Sequence, residues 1–150
     1  MVFRELTLVQ ARFDRALENQ ARTPQSRDPI AQRSRDRHDL DPMEAPMLRP
    51  PIAKTTNSAL IGTDLEARLR SQGIGALVIA GVITNNSVEA TVRMAGNLGF
   101  EVQLAEDACF TFARRDYHGR LRSAEEVHAM SLANLEGEYC RVTTTAELLA

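Results

Sequence analysis

The first 61 residues of this 150-residue chain contain no glycine, and the whole chain contains no tryptophan. All eight glycines lie at or after Gly62, so tight backbone turns of the glycine-dependent kind are confined to the later part. Aromatic residues make up only 5%, which leaves a core to be built from the aliphatic side chains of a 43% hydrophobic chain. That is enough for one domain of ordinary size. The net charge of −2 gives no argument for a nucleic-acid or anionic-membrane partner. No apolar run reaches the roughly 18 residues of a membrane span, and no export-signal pattern is visible. The sequence therefore predicts a soluble chain, with the cytoplasm as its default location. The two cysteines, Cys109 and Cys140, lack CxxC spacing and sit among apolar residues, so they are expected as buried free thiols. His38, His118 and His128 have no ligand spacing, which argues against a metal site. Neither G-x-G-x-x-G nor a Walker A pattern occurs, so no dinucleotide, P-loop or other cofactor is expected.

Lysine is the sharpest scarcity. Lys54 stands alone against 17 arginines. A compact ammonium whose proton affinity responds to burial is a different tool from a guanidinium, so the site of Lys54 is a candidate for chemistry. The plainer reading is coding bias with one surviving surface lysine.

The chain is organised around Gly75–Phe100. Ala76 to Val82 is a continuous apolar run of strand length, suited to a parallel strand covered on both faces. Ile83 to Ser87 then reads as a short, mostly polar loop. Val88, Thr91/Val92, Ala95 and Leu98 recur at helical spacing, and Gly99 falls where a helix C-cap belongs. A strand that ends in a polar loop at a helix N-terminus is where open α/β sheets carry their sites.

Elsewhere, Phe3, Leu6, Val9, Phe13 and Leu17 give near-helical spacing, which predicts a helix from about Arg4 to Gln20. Residues 22–50 are dense in Arg, Asp, Pro, Ser and Gln and are expected to be loose or disordered. Residues 1–50 are thus set apart from a domain over 51–150. Ile52–Thr55 predicts a short strand. Thr63 with Glu66 has capping-box spacing for a helix closing at Gly73. Phe100–Ala105 predicts a strand closed by Asp107, and Arg114–Arg122 a polar loop. Ser123 with Glu126 opens a helix through Met130/Ser131 and Leu135 to Gly137, before a last strand over Tyr139–Thr143 and a terminal helical turn. The alternation predicts an α/β fold with a mostly parallel sheet.

Lys54, the loop Ile83–Ser87 and Asp107 fall at carboxyl ends of predicted strands. Lys54 with a hydroxyl at a helix N-terminus can serve acyl transfer, with Ser87 as nucleophile and backbone N–H groups as oxyanion donors. The G-x-S-x-G elbow is absent, and an N-cap role explains Ser87 equally well. Asp107 is favoured as a loop-capping aspartate.

The stretch KTTNSALIGTDLEARLRSQGIGALVIAGVITNNSVEATVRMAGNLGFEVQLAEDACFTF resembles the isochorismatase-like, or cysteine hydrolase, superfamily. The resemblance runs from Lys54 to Leu149. It rests on Lys54 followed by Ser58-Ala59 and Gly62-Thr63, on Gly81-Val82 with Thr84, on Val88-Glu89-Ala90-Thr91 with Arg93, and on Ser123–Leu135. It implies a doubly wound, Rossmann-like α/β fold, here incomplete at the N-terminal side. It also implies hydrolysis of a small amide, imide or vinyl-ether substrate, and a homo-oligomer. By resemblance Lys54 is the catalytic lysine, and Ser87 stands where the family has its nucleophilic cysteine. The resemblance further implies a cis Val82–Ile83 peptide bond, an oxyanion hole of the Ile83 and Ser87 N–H groups, and a substrate pocket drawing on Asn57, Leu60, Thr84, Asn85 and Asn86. The family's acid ends the first strand in an Asp-x-Gln setting. In Leu8-Val9-Gln10-Ala11-Arg12-Phe13 the Gln and Phe are in place, Leu8 occupies the acid's position, and Asp14 is out of register. The alternative implied by these departures is a catalytically inactive relative, a pseudoenzyme or interaction subunit that keeps the fold.

Overall fold

The computed structural model describes residues 8–11 and 52–150, of which 8–11 and 53–150 belong to one compact unit. Its elements in chain order begin with β1 (Leu8–Ala11), α1 (Leu65–Ser71) and β2 (Ala76–Val82). A π-helical turn (Thr84–Val88), α2 (Glu89–Asn97) and β3 (Glu101–Phe110) follow. The remainder is β4 (Arg114–Arg115), β5 (Leu121–Arg122), α3 (Ala124–Ala133), β6 (Arg141–Thr143) and α4 (Thr145–Leu148). Among the described residues, four strands form one sheet in the order β1-β2-β3-β6, with each of these pairings parallel. The α/β architecture with a mostly parallel sheet and flanking helices is as the alternation predicts.

The apolar run forms the strand the sequence indicates. Leu77, Val78, Ile79 and Ala80 are buried in succession. Because successive strand side chains point to opposite faces, four buried in a row means that β2 is covered on both. β3 buries Val102, Leu104 and Ala105 beside it, and α2 contributes Thr91, Val92 and Ala95 from one stripe. In α1, Leu65 and Leu69 are buried one turn apart, and Gly73 closes the helix at φ 70°. Only glycine takes that conformation without a steric cost. Arg70 lies over the Phe100 ring, its Cζ 4.2 Å from the centroid, and donates to the Leu98 carbonyl, which pins α1 to the entry of β3.

Several expectations need correction. Leu8–Ala11 is a strand, not part of a helix: its parallel pairing with β2 overrides local propensity. The rest of the 4–20 helix and the 22–50 segment lie outside the described residues. Ile52–Thr55 forms no strand. The α1 N-cap is Asp64, without a side-chain cap bond, while the Thr63 hydroxyl donates to the Ala59 carbonyl and accepts from the Leu65 N–H at 3.3 Å. β3 runs on to Phe110, well past Ala105, through a register shift opposite β2. The polar loop Arg114–Arg122 is a small antiparallel hairpin of β4 and β5. Met130 is exposed, while Ser131 and Leu135 carry the buried side of that segment.

The Ser123–Glu126 capping box forms in full: Ser123 Oγ accepts from the Glu126 N–H, and Glu126 Oε2 accepts from the Ser123 N–H. A second box, Thr144 with Glu147, opens α4. Cys109 and Cys140 are buried free thiols, and burial pushes each up to about 11.

Candidate active site

The joint between β2 and α2 is a single π-helical turn. The Val82–Ile83 peptide bond before it is cis. The Ile83 carbonyl then accepts from the N–H groups of both Asn86 and Val88, which folds the loop back on itself. Ser87 is almost wholly buried, at 2% exposure, near the end of this turn. It is therefore not an N-cap: it lies inside the turn, and its carbonyl accepts from the Thr91 hydroxyl.

Two side chains of the turn are held from outside it. Thr84 is fully buried, and its Oγ1 lies 2.9 Å from Nδ1 of His128 on α3. Asn85 Oδ1 accepts from the hydroxyl of Thr111, just beyond β3, at 2.5 Å. Of the five residues expected to line a pocket, Asn85 and Asn86 are half-buried, Leu60 and Thr84 are buried, and Asn57 is exposed.

Lys54 sits in the loop before α1, half-buried. Its Nζ donates to the carbonyls of Thr56 (3.1 Å) and Asn57 (2.6 Å). Burial lowers its proton affinity from the ordinary lysine value, since an ammonium loses hydration there. This loop is tied to Ser87 by Thr91, whose Oγ1 accepts from the Ala59 N–H at 3.0 Å while donating to the Ser87 carbonyl at 2.7 Å. Helical spacing places Thr91 only in the buried stripe of α2. Its bridging role depends on a contact 32 residues away, which no local pattern announces.

Asp107 is outside this constellation. Its carboxylate accepts from the Thr145 hydroxyl and N–H at the start of α4, and these bonds hold it below the usual carboxylate range. It lies within β3 and holds the first residue of α4, so it does not cap a loop at its own strand's end as favoured from sequence. The register of β1 sets Leu8 opposite Val78 and Ala11 opposite Gly81. The residue level with the carboxyl end of β2 is therefore Ala11, and neither it nor Leu8 carries an acid. Among the described residues no group of three or more His, Cys, Asp or Glu is gathered as for a metal ion. Nor is any helix there long and apolar enough to cross a membrane.

The lysine loop, the turn beyond the central strand and the helix after it match the isochorismatase domain model over residues 8–147. The chain belongs to the isochorismatase family. It is 42% identical over 98 residues to YrdC, an uncharacterized isochorismatase family protein of Bacillus subtilis, covering 65% of this chain and 52% of that protein. Nicotinamidase 3 of Arabidopsis thaliana is 34% identical over 84 residues, covering 56% of this chain and 37% of the relative. Among solved structures, an isochorismatase-family protein from Chromobacterium violaceum superposes with a TM-score of 0.66 at 70% identity, covering 67% of this chain and 54% of that one. A cysteine hydrolase from Pseudomonas syringae gives 0.63 at 29% identity, covering 68% and 50%. The chain thus spans about half the length of the family members it matches.

Proposed function

We propose that this chain carries the hydrolase site of its family and acts on a small amide, imide or vinyl-ether substrate. The observation that carries this reading is Ser87, buried in the turn beyond the central strand and tied through Thr91 to the loop of the only lysine. Lys54, made less basic by burial, moves the proton. On an amide or imide, the Ile83 and Ser87 N–H groups hold the developing oxyanion. Ser87 occupies the nucleophile position. The likeness to a nicotinamidase and to a cysteine hydrolase supports an amide-directed reading. A small-molecule substrate, a homo-oligomeric state and a cytoplasmic location belong to the same proposal.

A serine hydroxyl ionises far less readily than a thiol, which has a reference pKa of about 8.5, and here no carboxylate stands level with the end of β2 in β1. That observation favours a second reading, a non-catalytic relative that keeps the fold. An amidase and isochorismatase substrate panel on the unaltered chain, on Ser87→Cys and on Ser87→Cys/Lys54→Ala separates them. Turnover by Ser87→Cys that disappears with Lys54→Ala supports the hydrolase. A folded Ser87→Cys protein inert on every substrate supports the non-catalytic relative.

A further inference from the structure

His128 has no part in the machinery just described, yet its side chain, like that of Thr111, holds the site turn from outside it. It lies on α3, 44 residues from Thr84 in sequence. Thr84 is the first residue of the π-helical turn, immediately after Ile83, and Ser87 comes three residues later. With Thr84 at 0% exposure, its hydroxyl is out of reach of bulk solvent, and the His128 ring is its side-chain partner. From β3, the Glu106 carboxylate and backbone carbonyl also face the ring. His128 therefore spans from the strand beside β2 to the turn that follows β2.

We propose that His128 is a positioning residue, which holds Thr84 and through it the Ile83 and Ser87 N–H groups at the spacing the site requires. This rests on the hydrolase reading for its purpose, but not for its test. The direction of the bond depends on the ring's protonation state. A neutral ring with its proton on Nε2 accepts the Thr84 proton at Nδ1, whereas an imidazolium donates Nδ1–H to the Thr84 oxygen, so protonation reverses the bond without breaking it. Burial keeps the ring neutral by lowering its proton affinity, and this outweighs the opposing pull of Glu106. Removal of the ring, and not its protonation, is therefore what is expected to loosen the turn.

The test uses a thiol at position 87 as a reporter, which needs no substrate. In the full-length Ser87→Cys protein carrying also Cys109→Ala and Cys140→Ala, ionisation of the remaining thiol is followed by the NMR shift of its Cβ carbon from about pH 5 to about pH 11. The native thiols are removed because burial pushes both up to about 11, within the range a buried thiol at position 87 requires. The same titration is run with His128→Ala and with His128→Asn, whose amide oxygen can accept close to the Nδ1 position. The expected result is an ionisation constant lowered about tenfold by His128→Ala, one unit on the pH scale, and largely restored by His128→Asn. Equal ionisation in all three folded proteins overturns the proposal. So does an equal loss in both variants, which would mean packing and not the hydrogen bond. Should His128→Ala fail to fold, Thr84→Val removes the same bond from the other side at nearly constant volume, and it must reproduce the tenfold effect. A Ser87→Cys protein inert toward every substrate would sink the hydrolase reading and leave this comparison standing.

Discussion

A methyl group placed on Gly96 would stand 2.7 Å from the carbonyl oxygen of Tyr139. The backbone of α2 thus touches the backbone leading into β6 with no side chain between them. Arg93, one turn earlier, closes the same junction: its Cζ lies 4.7 Å from the Tyr139 ring centroid, and its guanidinium pairs with Glu89, which also accepts from Ser131.

Gly96→Ala is expected to destabilise the fold by about 1–3 kcal/mol, the usual cost of overpacking. An exposed helical glycine would instead gain up to about 1 kcal/mol from the same change. Urea unfolding of the two proteins decides the sign, and an increase in stability would mean that the two backbones can part cheaply.

Ser123→Ala removes one half of a complete capping box and is expected to cost about 1 kcal/mol. The change is at the surface, so it tests the cap and not the core. Ser123→Asp should recover most of the loss, as measured by the shift in urea midpoint.

The native thiols should be inert in the folded protein. At about pH 8, a disulfide reagent is expected to titrate almost none of Cys109 and Cys140 until urea is added, and then two thiols per chain. Rapid reaction of either in native buffer would contradict the burial described for it.

Stability should also carry the signature of His128. Its folded proton affinity lies below the unfolded reference of about 6.5, so the unfolded chain takes up the proton first as pH falls. The contribution is fully present above about pH 6.5, is lost as pH falls toward the folded value, and levels off below it. Unfolding free energies of the unaltered chain and His128→Asn are compared across that window, and the unaltered chain should lose stability relative to the variant as the medium becomes acidic. Parallel curves would show that the ring titrates alike in both states.

The sequence is most legible where the physics is local. The apolar run Ala76–Val82 has the length of a buried strand and follows Gly75, and β2 has those bounds. Ser123 and Thr144 cap helices through residues three positions away. The capping-box spacing at Thr63 misleads because the helix begins one residue later: its N-cap is Asp64, and the Thr63 hydroxyl accepts from the Leu65 N–H, not from the Glu66 N–H that the box requires. Leu8–Ala11 misleads because its strand exists through pairing with β2, about 70 residues on, which helical propensity cannot register. At the site, Lys54 and Ser87 are visible as residue types at strand ends. The braces Thr91, Thr111 and His128 are not, since each acts on a partner distant in sequence.

The register shift in β3 gives a last consequence. Two steps along β2, from Ile79 to Gly81, correspond to five along β3, from Leu104 to Cys109. The surplus chain holds Glu106, which faces His128 and so the site turn, and Asp107, which anchors the start of α4. One departure from regular pairing thereby acts as a junction box for two otherwise separate parts of the molecule. Trimming β3 to an ideal strand, as a designer tidying the fold would do, would disconnect both at a stroke.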